Sequence, residues 1–116
     1  MTDDNQNVDN EMPPIEHALP QRYKPNYVLK LYVAGHTSKS ILAIASIRSI
    51  CEARLRGNYE LQVIDVYQQP KLAEAERIIV TPTLVKQFPL PPRKIVGNFT
   101  NEEKVLSGLG ISETTN

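Results

Sequence analysis

From Tyr27 onward the apolar residues fall into short blocks of two periods, about two and about 3.6, and the changes of period mark the elements. Tyr27-Val-Leu-Lys-Leu-Tyr-Val33 alternates as a strand does, with Tyr27, Leu29, Leu31 and Val33 on the inward face and Val28 and Lys30 on the other. Ala34-Gly35 closes it. The hydroxyls of His36-Thr-Ser-Lys-Ser40 then supply N-caps for a helix over about 38–56. Along that helix Ile41, Ile44, Ala45, Ile47, Ile50, Cys51 and Leu55 recur at three- and four-residue spacing and predict one broad apolar face. Arg56-Gly57-Asn58 is a helix stop, and residues 59–66 predict a second strand, parallel to the first through a right-handed crossover.

The stretch 61–84 joins a strand, a helix and a proline-defined turn without a spare residue. Strong helix formers over 72–79 predict a helix with Leu72, Ala75, Ile78 and Ile79 on one face. Thr81-Pro82 must end it, because Pro82 disfavours the α region for Thr81 and lacks an N–H. Residues 83–88 and 93–97 read as two short strands around Pro89-Leu-Pro-Pro92, and Gly97-Asn98 turns the chain again. Thr100-Asn-Glu-Glu103 has the form of a capping box ahead of a helix over 101–109, with Val105, Leu106 and Leu109 inward and Gly108 and Gly110 at its end. The order β-α-β-α-β-β-α, with Thr-Pro before the third strand, predicts an α/β domain of the thioredoxin-like class.

Residues 25–110 therefore form the domain. Residues 1–24 are polar, acidic and punctuated by Pro13, Pro14 and Pro20, and are expected as a disordered acidic N-terminal extension; residues 111–116 are expected as a flexible tail. At 116 residues the chain has material for one modest core. The 13 basic and 13 acidic residues cancel, which gives no electrostatic reason to expect nucleic acid or an anionic membrane as partner. The charge is unevenly placed. Residues 1–24 carry Asp3, Asp4, Asp9, Glu11 and Glu16 against Arg22 and Lys24, a net of −3, so residues 25–116 carry +3. With no apolar run long enough to span a bilayer and no signal-peptide layout, the protein is expected in the cytoplasm, where one cysteine and no internal disulfide also fit.

A thioredoxin-like oxidoreductase needs a low-pKa cysteine at the start of its first long helix, where the helix dipole favours thiolate. Here that turn reads Gly35-His-Thr-Ser-Lys-Ser40 and holds no cysteine. Cys51 falls three turns further on, on the predicted apolar face, where burial raises a thiol pKa. His36 has no second ligand or carboxylate at matching spacing, and the turn lacks the glycine and lysine spacing of a phosphate loop. His17 reads as a solvated side chain. Asp65, Glu74 and Glu76 are too scattered for a catalytic carboxylate pair and read as capping or solvated groups. No catalytic residue, metal site or cofactor site is predicted.

Tyr27-Val-Leu-Lys-Leu-Tyr-Val-Ala-Gly35, Tyr59-Glu-Leu-Gln-Val-Ile-Asp-Val66, Pro70-Lys-Leu-Ala-Glu74, Thr81-Pro-Thr-Leu84 and Pro91-Pro-Arg-Lys-Ile-Val-Gly97, taken in order, resemble the KaiB family over residues 27–109. The resemblance implies a non-enzymatic component of a circadian, timing or stress-response system that binds the hexameric ATPase ring of KaiC. A KaiA-like protein or a histidine kinase is implied as a further partner. It also implies two folds for one sequence: a homotetrameric (or homodimeric) ground state ordered β-α-β-β-α-α-β, and a monomeric thioredoxin-like state that binds KaiC. In the first, residues 71–79 would become largely strand. Pro70, Pro82, Pro89, Pro91, Pro92, Gly97 and Asn98 lie in or beside the half that would rearrange, the prolines either as trans turn residues or as bonds whose isomerisation slows the exchange.

The chain departs from the family pattern at Ala34-Gly-His-Thr-Ser-Lys-Ser40, at Gln68-Gln-Pro70, at Gly97-Asn-Phe-Thr100, and at Leu42 and Ala45, where the family has basic residues. These departures mark a divergent paralogue with a KaiC-like ATPase of its own. Lys39, Arg48, Lys71 and Arg77 are the candidate docking charges. Two other functions stay open: a thioredoxin-like thiol enzyme working through Cys51, and a holdase-like chaperone using exposed apolar surface.

Overall fold

The structure, a computed structural model, describes residues 25–111, so the expected extension over 1–24 and all of the expected tail beyond Ile111 lie outside the described residues. Four strands and three helices follow in the predicted order: β1 (Tyr27–Val33), α1 (Ser38–Arg54), β2 (Tyr59–Asp65), α2 (Pro70–Ala75), β3 (Thr83–Phe88), β4 (Arg93–Val96) and α3 (Glu102–Leu109). They build one sheet in the order β2-β1-β3-β4. β1 pairs parallel with β2, Leu29 opposite Leu61 and Leu31 opposite Val63. On its other edge β1 pairs antiparallel with β3, Leu31 opposite Leu84, with a register shift between Val28 and Leu29. β3 and β4 form an antiparallel pair.

The period-two pattern of β1 sends Leu29, Leu31 and Val33 to one face, where they meet Ala43, Ile47, Ile50 and Cys51 of α1 and Val105, Leu106 and Leu109 of α3. Tyr32 points to the other face and packs with Ile64, Ala73 and Val85, with Val66 and Ile78 at the margin. β1 is thus buried on both faces at its C-terminal half, a situation the alternation of Lys30 and Val28 does not announce. α2 covers this second cluster.

The predicted face of α1 needs correcting. Ile41 and Ala45 are exposed, Ile44 is half-buried, and Ala43 and Ser40 are buried instead. Thr37 is the N-cap and accepts from the Ser40 amide at 3.1 Å, while the Ser40 hydroxyl donates to the Ala34 carbonyl at 3.2 Å. That tie points the Ser40 side inward and rotates the helix so that residues 40, 43, 47, 50 and 51 share the core face. α2 is shorter than the expected 72–79. Ala73, not Leu72 or Ala75, is its buried residue, and Ile79 is 90% exposed. The N-cap of α3 is Asn101, which accepts from the Lys104 amide at 3.1 Å; the Thr100 hydroxyl instead donates to Asn98 Oδ1 at 3.0 Å, so the capping box at Thr100 does not form. Thr81-Pro82, Phe88-Pro89 and Leu90-Pro91 are cis, against the trans reading at those three bonds.

Gly108 lies inside α3 rather than at its end, and a Cβ there would sit 2.6 Å from Ile95 Cδ1. α3 can approach β4 this closely only without a side chain at 108. Lys86, on β3, is only 4% exposed, and its ammonium donates to the Leu109 carbonyl at 3.5 Å, placing a cation at the C-terminus of α3. Cys51 is buried among the aliphatic residues of the first cluster, and burial, with the Glu52 carboxylate next to it, pushes its thiol up to about 11.

Two outcomes are expected from these contacts. Gly108→Ala should lower stability by roughly 1 kcal/mol in a urea titration, overpacking of 1–3 kcal/mol outweighing a helix-propensity gain of about 1 kcal/mol. Because the folded thiol holds its proton to higher pH than the unfolded one, its contribution to stability is complete below the ordinary thiol range and is lost as pH rises towards about 11. The melting temperature should therefore fall more steeply between pH 9 and 11 in the native chain than in Cys51→Ala, and iodoacetamide should label native Cys51 only as fast as the core opens.

Candidate functional site

The loops at the C-terminal ends of the parallel strands β1 and β2 form one surface. Gly35, in the left-handed region at φ 69°, donates its amide to Asp65 Oδ1 at 3.1 Å, and the same oxygen accepts the Tyr67 amide at 2.9 Å. Asp65 therefore caps two backbone donors, one from each loop, and holds the loops together. A Cβ at Gly35 would stand 3.6 Å from the Tyr67 ring, ordinary contact, so the positive φ rather than space is what favours glycine there.

The side chains this surface presents include no thiol. His36, Ser38 and Lys39 are exposed, and the turn that opens α1 carries hydroxyls where a thioredoxin-like enzyme carries thiols. Beyond it Ile41 and Leu42 face outward, Leu42 at 62% exposure, and Tyr67 is 74% exposed. Among the described residues there is no group of three His, Cys, Asp or Glu able to hold a metal ion, and no helix is long and apolar enough to cross a membrane. A small cavity of about 150 Å³ between β4 and α3 is lined by Gly97, Asn98, Asn101 and Lys104 among others.

The four candidate docking charges are all exposed. Lys39 and Arg48 are both on α1 but nine residues apart, which at helical geometry is about 13 Å along the axis and about half a revolution around it. They do not share a face. Lys71 lies in α2, and Arg77 follows it at φ 57°. Of the residues expected to take part in rearrangement, Pro70 is the first residue of α2, Pro82 is buried ahead of β3, Pro89, Pro91 and Pro92 are exposed in the β3–β4 turn, and Gly97 (φ 139°) and Asn98 follow β4.

Sequence reasoning took Asp65 as a capping or solvated group and so anticipated its chemistry without its partners. It missed the outward apolar pair Ile41 and Leu42, because an isoleucine at helical spacing reads as core until the phase of the helix is fixed. It also missed Lys86, whose only signal is a charge within a run of apolar strand residues.

Tyr59, at the start of β2, donates its hydroxyl to Glu52 of α1 at 2.7 Å, and that bond, with some burial and the Glu52 charge, pushes its phenol up to about 12. Arg54 pairs with Glu102 at 3.0 Å, linking α1 to α3. Both contacts lie at the end of the domain away from the Asp65 surface, because Tyr59 and Asp65 are the two ends of β2.

Comparison with known proteins gives a consistent result. The KaiB domain family matches residues 30–111. The circadian clock oscillator protein KaiB of Microcystis aeruginosa is 49% identical over 89 residues, 77% of this chain and 86% of that protein. KaiB of a Picosynechococcus species is 51% identical over 88 residues, 76% of this chain and 85% of that protein. Among solved structures, the N-terminal domain of Synechococcus elongatus SasA superposes with a TM-score of 0.62 at 27% identity, over 84% of this chain and 96% of that domain. Mitochondrial thioredoxin 3 of Saccharomyces cerevisiae, at 17% identity and a TM-score of 0.59 over 74% of this chain and 81% of its own, shares the fold. The β1 segment, the Thr81-Pro-Thr-Leu84 segment before β3 and these matches together place the chain in the KaiB family of circadian clock proteins.

Proposed function

We propose that this chain is a non-enzymatic, cytoplasmic regulator that docks in its thioredoxin-like state onto a hexameric KaiC-type ATPase, in a circadian, timing or stress-response system. The observation that carries the reading is the β1–α1 turn. Where a thioredoxin-like enzyme keeps its nucleophile, Gly35-His-Thr-Ser-Lys-Ser40 has none, and the helix that follows turns Ile41 and Leu42 to solvent. Such a surface offers apolar contact and lacks the thiol nucleophile of a thioredoxin-like enzyme. Family membership supports the timing role, and the same reading keeps a KaiA-like protein or a histidine kinase as a further partner.

The same reading includes exchange with a homotetramer or homodimer through the half of the chain that holds Pro70, Pro82, Pro89, Pro91, Pro92, Gly97 and Asn98. An interface between copies would have to outweigh the packing of α2 and α3 by on the order of a few kcal/mol. The thiol-enzyme alternative loses ground to the burial and raised pKa of Cys51.

Size-exclusion chromatography with light scattering tests the reading, first on the protein alone and then with the KaiC-type proteins of its host in ATP and in ADP. A resting oligomer that dissociates and joins a ring is the expected result; a species that ignores every KaiC homologue would remove the ring as partner. Replacing Lys39, Arg48, Lys71 and Arg77 together by Ala should weaken ring binding about tenfold, since exposed charge contacts contribute roughly 0.2–1 kcal/mol each. Undiminished binding would sink those four assignments, and suppression of client aggregation by the protein alone would favour the chaperone reading instead.

A further inference from the structure

α2 and α3 end in the same backbone motif with different residues at its critical position. At the end of α3 the Ile111 amide donates to the Leu106 carbonyl at 2.8 Å and the Gly110 amide to the Ser107 carbonyl at 3.1 Å, with Gly110 at φ 79°. At the end of α2 the Ile78 amide donates to the Ala73 carbonyl at 2.9 Å and the Arg77 amide to the Glu74 carbonyl at 3.0 Å. Both are the paired six-to-one and five-to-two bonds of a Schellman stop, whose left-handed position favours glycine. α3 uses glycine there; α2 uses Arg77 at φ 57°. Phe99, the other described non-glycine residue with positive φ, buries its ring in the first core cluster. Arg77 is exposed and gains no such packing.

A second, independent cost lies under the same stop. Ala73 and Ile78, the residues joined by the six-to-one bond of the motif, belong to the cluster that encloses Tyr32. The Tyr32 ring is fully buried, and its hydroxyl is the one buried side-chain polar atom among the described residues without a hydrogen-bond partner. Burial, and then the nearby Glu76 carboxylate, raise its pKa, so the hydroxyl stays neutral beneath a negative charge without being bonded to it. What holds the segment down is modest: Ala73 and Ile78 in the cluster around Tyr32, the Lys94 ammonium donating to the Glu76 carbonyl, and the Thr83 hydroxyl donating to the Val80 carbonyl at 2.7 Å at its far end. Ile79 and Val80, next along the chain, are exposed.

We infer that residues 70–80 form a release point, a segment set to open ahead of the sheet because Arg77 occupies the left-handed position of its helix stop and Tyr32 is left with an unpaired hydroxyl beneath it. Opening lets Arg77 relax to an ordinary φ and gives the Tyr32 hydroxyl access to water, so the open form is favoured twice over relative to what the lost contacts alone imply. The segment also carries Lys71 and Arg77, so its opening sets when those two charges are held in place. The device itself depends only on the folded chain, not on the partner proposed above.

Native-state amide hydrogen exchange on the full chain, without any partner, reads the device directly. In the native sequence the amides of Arg77 and Ile78 should exchange faster than those of Leu31 and Leu84 in the central strands. Tyr32→Phe should slow them about tenfold by removing the orphaned hydroxyl. Arg77→Gly should slow them about threefold, the relieved left-handed strain exceeding the chain entropy that glycine adds. Arg77→Ala, which deletes the same side chain but keeps a Cβ, should give no slowing. Faster or unchanged exchange in Tyr32→Phe, equal slowing in Arg77→Ala and Arg77→Gly, or native protection at Ile78 as high as in β1 would each overturn the inference. None of these outcomes bears on whether a KaiC-type ring binds.

Discussion

Everything in this domain leans on β1. It is hydrogen-bonded along both edges, to β2 on one side and β3 on the other, and among the described strands it alone has leucines facing α1 and α3 and a fully buried tyrosine facing α2. A strand so placed cannot slip by one residue, since a slip would send Leu29 and Leu31 to the thinly covered face and Lys30 into the main core. The parallel partner β2 is fixed through α1, and the antiparallel partner β3 brings β4 and α3 with it. The two clusters differ in depth. The larger joins two helices to three or more strands, while the smaller is roofed by six residues of helix and one isoleucine beyond them.

This inequality explains which parts of the fold could be read from the sequence. β1 and β3 follow from runs of strand-forming residues closed by turn residues although both are buried on two faces, and β2, the hydroxyl cap of α1 and the inward face of α3 follow from local pattern. The face of α1 does not follow, since the sequence offers two overlapping apolar stripes and only the Ser40 bond to the Ala34 carbonyl selects one. Nor does the length of α2. Its stop is a backbone motif with arginine in the position where a reader looks for glycine, and helix propensity over 72–79 carries no trace of it. At the candidate site, the missing cysteine was plain from the turn itself, while the apolar pair Ile41 and Leu42 became visible only when α1 was set in its true phase.

The domain thus has the frame of a thioredoxin without its reactive centre. Asp65 ties the two loops that would otherwise have to be held by the chemistry they carried, and it does so with a carboxylate spent on two amides. The surface so tied holds no cysteine in the turn where a thioredoxin-like enzyme carries its thiols, and it exposes Ile41, Leu42 and Tyr67. Lys86 adds to the frame: a buried ammonium is satisfied only when a carbonyl end stands over it, so the last helix has one acceptable placement on β3.

The burial of Cys51 has a further meaning for how the chain lives with its surroundings. Oxidants act on thiolate that they can reach, climbing from sulfenic acid to mixed disulfide or beyond. Here the one thiol is buried in the core, and burial pushes it up to about 11, so both the thiolate fraction and the access that such oxidation needs are reduced at Cys51.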